Sequence, residues 1–185
     1  MAHSMPTAPP IEARVLGIAG MVGGAILLTL FVVDLPSGPT ALFIAVFNFG
    51  ALAIVIAMLR RGAMSGPIPA LVGAALIAVS AWHAVMAMAN IHRGVLFAPD
   101  LALWLTALFG AIMLRHPGIT RWAAATLAIG CVVVVTGTDR LGLVSAMSPT
   151  LFDTLSQVGI VMVGVGWVVM GIDVAMRRTV GQPVL

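Results

Sequence analysis

Apolar residues of this chain run in six long stretches, separated by short clusters rich in Pro, Gly and polar residues. The separators are DLPSGPT at 34–40, RRGAMSGP at 60–67, RGVLFAPD at 93–100, RHPGIT at 115–120 and GTDRLGLVSAMSPT at 137–150. Clusters of this kind end helices. The pattern therefore predicts six helices, over residues 11–33, 41–59, 68–91, 100–115, 121–138 and 151–176.

The length of these stretches predicts that they span a membrane, because about 20 apolar residues cross the hydrocarbon layer. The fourth stretch is shorter, about 24 Å as a helix, so we expect it to begin earlier, near Val95, or to lie against thinned lipid. Asp100 and Thr150 each follow a Pro and are expected N-caps. The predicted fold is an all-α membrane protein, a compact bundle of six transmembrane helices joined by short loops.

Composition supports this class. Hydrophobic residues make up 61% of the chain and charged residues 8%, and the mean hydropathy is +1.16. Soluble domains carry about 25% charged residues. The first apolar stretch is longer than a signal-peptide core and lacks a cleavage site, so we expect a retained helix. The predicted organisation is one transmembrane domain over 11–178, between short tails at 1–10 and 179–185.

All nine basic side chains are arginines, and no lysine is present. Retinal and pyridoxal Schiff-base chemistry is therefore excluded. Arginine usage with abundant Ala and Gly indicates a GC-rich bacterial genome. Arginines on cytoplasmic loops set membrane orientation. In the six-helix threading, seven arginines fall on the side of the termini and two on the other, so both termini are predicted to be cytoplasmic, in a bacterial cytoplasmic membrane. The seven are Arg14, Arg60, Arg61, Arg115, Arg121, Arg177 and Arg178, and the two are Arg93 and Arg140.

The stretch SAWHAVMAMAN carries unusual polarity for a membrane helix. Ser80, His83 and Asn90 share one helix face, with His83 about 12 Å inside the outer surface. Asn48 of the second helix is about 10 Å deep on the same side, so a hydrogen bond between His83 and Asn48 is predicted. Polar residues near the outer ends of other helices, among them Thr29, Asp34 and Thr154, suggest an outward-opening vestibule. The candidate ligand-binding residues are His83, Asn48, Asn90, Ser80 and Asp34.

The polar residues and the tryptophans also have structural explanations that need no ligand. Interhelical hydrogen bonds within membranes are common and are worth about 0.6 kcal/mol on average, so His83 is either a structural bond or a ligand site. Asp173 is expected to pair with Arg177 one turn later. Trp122 is expected to anchor at the interface, whereas Trp82, Trp104 and Trp167 are expected to be packed inside.

Chemistry-bearing patterns favour a protein that is not an enzyme. Haem would need a second axial ligand beside His83, and Met162 is the conceivable one. The acids are dispersed, no His-rich metal motif occurs, and Ser80 with His83 lacks a nucleophile turn. Cys131 has no partner for a disulfide. No basic stripe interleaved with aromatics indicates nucleic acid.

Glycines of the first and last helices predict close helix contacts. These glycines are Gly20, Gly24, Gly159, Gly164, Gly166 and Gly171. The two helices are expected to meet each other, a second copy or another membrane subunit, and no convincing residue match supports an inverted repeat of the two halves. The predicted function is an accessory or assembly subunit, or a binder of a lipid-like molecule in a polar pocket around His83. A passive channel or transporter for a small solute is the first alternative, and a haem-binding or other membrane-embedded enzyme using His83 is the second.

Overall fold

The computed structural model of the chain describes residues 11–33, 37–89, 99–138 and 149–176. These residues form six α-helices and, within the same ranges, no strand. The helices are α1 (Ile11–Val32), α2 (Ser37–Arg60), α3 (Pro67–Met88), α4 (Pro99–Met113), α5 (Ile119–Gly137) and α6 (Pro149–Met176). Five are long and apolar enough to cross a membrane, and α4, with 15 residues, is shorter. The predicted all-helical membrane bundle is confirmed.

Several helix ends differ from the sequence prediction. α4 and α6 begin at the prolines themselves, so Asp100 and Thr150 lie in the first turn and are not N-caps. Proline suits this position because the first helical N–H groups have no partner inside the helix. α3 ends at Met88, three residues before the predicted end. Val95, the proposed earlier start of the fourth helix, is outside the described residues.

The helices form a ring in chain order. Each helix packs antiparallel against its neighbours in sequence, and α1 packs along α6 to close the ring. The contact between α3 and α4 is the least extensive of the six. One end of the bundle, here named the terminal end, holds Ile11 and Met176, and the opposite end is named the distal end. The halves of the bundle are named accordingly.

Glycines bring α1 and α6 into backbone contact with each other. A Cβ placed on Gly171 would lie 2.7 Å from the carbonyl oxygen of Gly17, and one on Gly24 would lie 2.8 Å from that of Gly164. Both pairs are seven residues apart, so they repeat every two turns of two antiparallel helices. The sequence left open what the glycines of α1 and α6 contact. In the structure Gly24, Gly164 and Gly171 lie at the contact of α1 with α6, whereas Gly20 packs against α2, and Gly159 and Gly166 pack against α5.

Large apolar side chains fill the middle and the terminal half of the ring. Trp167 stacks on Phe109 with 5.7 Å between ring centroids, linking α6 to α4 across the interior. Among the described residues, the large buried members of this cluster are Ile54, Met58, Leu76, Phe109, Met113, Leu127, Trp167, Met170 and Val174. Such dense burial makes this half the stable core of the fold.

The distal half is filled differently. Its separate buried cluster, within the described part of the chain, consists of small residues at the contact of α2 with α3. The members are Ala45, Ala84 and Ala87, with Ile44 packed against them. Small side chains let two helix backbones approach closely without a large apolar filling.

The tryptophans correct one set of predictions. Trp167 is 1% exposed, as expected for a packed residue, and Trp122 is 75% exposed, as expected for an interfacial anchor. Trp82 and Trp104 were predicted to be packed and are instead 45% and 43% exposed. In a single ring of helices every helix presents an outer face, and helical spacing puts these two residues on it.

Candidate functional site

One polar stripe predicted on α3 is present and buried. Ser80 and His83 are 3% and 4% exposed, and they share the inner face of α3 with Ala84 and Ala87. This agrees with the helical spacing that placed them on one face. Asn90, the predicted outer member of the stripe, is outside the described residues.

Asn48 lies on the neighbouring helix and is also buried. Its side-chain nitrogen Nδ2 donates a hydrogen bond of 2.8 Å to the carbonyl oxygen of Ile44, one turn earlier on α2. The predicted hydrogen bond between Asn48 and His83 stays a prediction, because this bond uses only one of the donor and acceptor groups of the Asn48 amide. A backbone carbonyl on the same helix is always within reach of such a side chain, so it competes with a partner on another helix.

Helix register places these polar residues at one level. A Cβ on Gly73 of α3 would lie 3.3 Å from the Leu59 side chain of α2. The two helices are antiparallel, so eleven residues after Gly73 on α3 correspond to eleven residues before Leu59 on α2. Asn48 therefore lies at the same height along the bundle as Ala84, which follows His83 in the sequence. Asn48, Ser80 and His83 therefore lie within about one helical turn of a common level.

Trp167 was missed as a candidate site residue. Its indole Nε1–H is buried and has no hydrogen-bond acceptor among the described residues. The glycine contacts between α6 and α1 place Trp167 and Met21 at the same height along the bundle axis. The glycine contacts between α1 and α2 place Met21 and Leu52 at the same height. The α2–α3 register then sets Leu52 level with Ser80. The sequence offered no signal for this, because a tryptophan in an apolar helix is read as core.

Two threonines expected in the predicted distal vestibule do not face the interior of the bundle. Thr29 and Thr154 are exposed, and each hydroxyl donates to a carbonyl oxygen four residues earlier on its own helix, at 3.0 Å and 2.8 Å. Hydroxyls bonded in this way are common in helices and line no interior site. Asp34 lies outside the described residues. The candidate site is thus confined to Asn48, Ser80 and His83. The Trp167 indole lies at the level of Ser80, but on α6, whose backbone does not pack against α3 in the described chain.

The arrangement of Met162 gives no support to a haem pair with His83. Met162 is half-buried, and a Cβ on Gly130 would lie 2.8 Å from its Cβ, so this side chain starts from the contact of α6 with α5. His83 lies on α3, whose backbone packs directly against neither of those helices in the described chain. Within the described residues, no group of three His, Cys, Asp or Glu side chains has metal-binding geometry.

A second polar cluster lies in the terminal half and was also missed. Asp173 is 8% exposed and accepts a hydrogen bond of 2.6 Å from the hydroxyl of Thr120, which is buried on α5. Arg61 donates to the carbonyl oxygen of Val174 in the last turn of α6. The expected partner of Asp173, Arg177, lies outside the described residues.

This second cluster has a structural explanation. A helix leaves its last four carbonyl groups without partners, and a basic side chain near the C-terminus stabilises them. Arg61 does this for α6, while the Thr120 hydroxyl satisfies a buried carboxylate. The cluster therefore fastens α2, α5 and α6 together at the terminal end. Chemistry that requires a ligand is better sought in the distal half.

Comparison of the chain with protein-family models, curated proteins and solved structures finds no match. The function must therefore be inferred from the site. Serine, histidine and asparagine side chains both donate and accept hydrogen bonds, and an indole donates one. In an apolar interior such groups can orient a small molecule by its oxygen or nitrogen atoms.

Proposed function

We propose that this protein binds a lipid-like small molecule within the distal half of its helix bundle, beside Asn48, Ser80 and His83. One observation carries the proposal: three buried polar side chains lie near one level, beside the separate small-residue cluster of α2 and α3 and outside the large apolar cluster. Small concave sites lined by apolar residues and a few convergent polar groups are typical of ligand binding.

The ligand is expected to combine an apolar body with at least one hydrogen-bond acceptor, such as a carbonyl oxygen. A buried donor without an acceptor destabilises a protein by about 1–3 kcal/mol. The Nε1–H of Trp167 is such a donor within the described chain. An acceptor atom of the ligand would offset this penalty, while Ser80 and His83 would orient the rest of its polar group.

The main sequence argument for a role as an accessory subunit is not supported by the helix contacts of the structure. That argument rested on the glycines of α1 and α6, which pack against other helices of this same chain: against each other, α2 or α5. A partner subunit or second copy would have to use a different, outer surface of the bundle. Ligand binding is therefore the function we favour, and a bound lipid-like molecule and the surrounding bilayer are the partners we propose.

We further propose that the protein resides in a bacterial cytoplasmic membrane with both termini in the cytoplasm. The support is the arginine count of the loops, interpreted by the positive-inside rule. Ser65 lies in the exposed turn between α2 and α3, at the terminal end. In a Cys131→Ala background, a cysteine replacing Ser65 is expected to resist a membrane-impermeant thiol reagent added to intact cells. Labelling of that cysteine from outside would contradict this orientation.

Native mass spectrometry of the protein released directly from its own membrane tests the proposed function. The expected spectrum contains a small-molecule adduct on the monomer or homodimer. Ser80→Ala and Trp167→Phe each remove a polar group with little change in volume. Each is expected to lower adduct occupancy about 2- to 10-fold, the effect of one hydrogen bond.

Thr126→Val is the matched control for these variants. Thr126 is a partly exposed residue of α5 whose hydroxyl donates to the carbonyl oxygen of Trp122, on the same helix. Its replacement is expected to leave adduct occupancy unchanged. A protein that carries another polypeptide and no small molecule would contradict ligand binding and support a subunit role.

A further inference from the structure

The turn between α4 and α5 carries two arginines that are fixed in place at the terminal end. Arg115 donates through one terminal nitrogen to the carbonyl oxygen of Ala63, at 2.9 Å. Arg121 donates through Nε to the carbonyl oxygen of Leu114, at 3.0 Å. The turn is sharp because Gly118 adopts a positive φ of 81°, which L side chains rarely adopt. Both side chains are thus held against backbone rather than left free in solvent.

These two positive charges have no carboxylate partner in the described part of the chain. The described ion pair at this end joins Arg60 to Glu12, with 2.7 Å between the charged atoms. Asp173 is buried and bonded to Thr120. A guanidinium has five N–H donors, and one on each arginine is used by the carbonyl groups described above. Most donors of Arg115 and Arg121 therefore remain for an external anion.

Exposed apolar side chains surround the same turn. Leu114 and Ile119 are 39% and 52% exposed, and Trp122, next to Arg121, is the most exposed tryptophan. Exposed tryptophans beside arginines are typical of the level where lipid headgroups meet acyl chains. An external anion at this place is therefore expected to be attached to an apolar chain.

We propose that Arg115 and Arg121 bind the phosphate of an anionic phospholipid, whose acyl chains lie along Leu114, Ile119 and Trp122. Planar guanidinium groups match phosphate oxygens with paired hydrogen bonds, which an ammonium group does not provide. The backbone hydrogen bonds hold both groups in position, so less side-chain freedom is lost when the lipid binds. This site is separate from the distal ligand site and does not depend on it.

Lipid retention measured by native mass spectrometry tests the proposal. The full-length protein is equilibrated in nanodiscs that contain equal amounts of phosphatidylglycerol and phosphatidylcholine with identical acyl chains, and the lipids retained after release are counted. The wild-type protein is expected to retain phosphatidylglycerol preferentially. Arg115→Gln and Arg121→Gln are each expected to lower that preference about 5-fold. Arg60→Gln, which removes an exposed arginine paired with Glu12, is the matched control and is expected to have a smaller effect.

Lysine variants separate a built phosphate site from general attraction to anionic lipid. R115K with R121K keeps both positive charges and loses the paired hydrogen bonds, so it is expected to lose most of the preference. Retention of the full preference by this double variant would overturn the proposal and leave only nonspecific charge attraction. Equal retention of both lipids by the wild-type protein would also overturn it. Inorganic phosphate added in excess is expected to displace none of the lipid, because it lacks the acyl contacts.

Discussion

The two halves of the bundle are built on different principles. The terminal half and the middle of the bundle hold the large apolar cluster, in which Trp167 stacks on Phe109, and the loops and helix ends of the terminal half are tied by Arg61, Arg115 and Asp173. The distal half holds small alanines and buried polar side chains. The first arrangement gives stability, and the second gives close helix contact and buried hydrogen-bonding groups. Under the proposed function, the groups that give stability and the groups that bind the ligand would be separated along the length of the same helices.

The largest expected effect tests the core of the terminal half. Trp167→Ala removes a buried ring that stacks on Phe109, and such truncations lower the free energy of unfolding by about 3–5 kcal/mol. Unfolding in mixed detergent micelles with increasing SDS measures the loss. Trp122→Ala, on the exposed face of α5, is the control and is expected to change stability by about 0.5 kcal/mol or less. Similar losses in both variants would contradict the proposed core.

A second change tests the polar contacts of the terminal half. Thr120→Val removes the hydroxyl that donates to the buried Asp173 carboxylate, and hydrogen bonds to charged groups are worth about 1.5–3 kcal/mol. The same unfolding assay is expected to show a loss of this size. Thr126→Val is the control, because that hydroxyl bonds only its own helix and its loss has little effect. Equal stabilities of the two variants would show that the buried bond contributes nothing.

A third change tests the contact of α1 with α6, which runs through both halves. Gly171→Ala would place a Cβ 2.7 Å from the carbonyl oxygen of Gly17, so the helices must separate, at about 1–3 kcal/mol. Gly73→Ala is the control, because the nearest atoms there are the ends of the flexible Met64 and Leu59 side chains. Thermal unfolding in detergent measures both. A destabilised Gly73→Ala with an unchanged Gly171→Ala would reverse our assignment of the tight contact.

The smallest expected effect lies in the distal half. His83→Leu removes a buried polar side chain, and interhelical hydrogen bonds in membranes average about 0.6 kcal/mol. A slight loss of thermal stability is therefore expected, together with a clear loss of the adduct seen by native mass spectrometry. A large loss of stability with adduct occupancy unchanged would assign His83 to structure alone. That result would remove the functional difference between the two halves.

The candidate site could be predicted only in part. Helical spacing correctly placed Ser80 and His83 on one buried face, because that spacing is a local property of α3. Spacing could not decide which acceptor Asn48 uses, because its own backbone competes with the neighbouring helix. The burial of Asp173 and of Trp167 Nε1 depended on how α6 rotates against α5 and α1. Asn90 and Asp34 lie outside the described residues and stay predictions.

By itself, the sequence determined the number of helices, their approximate bounds and their membrane-spanning length, because hydropathy and helix breakers act within a single stretch of chain. Only the tertiary structure decided which helices the glycines of α1 and α6 contact, that Trp82 and Trp104 face outward, and that Arg61 reaches the end of α6. These outcomes depend on the rotation and register of one helix against another. In a chain whose helices are apolar on every side, hydropathy does not mark which face turns inward, so side-chain size and close contact decide it.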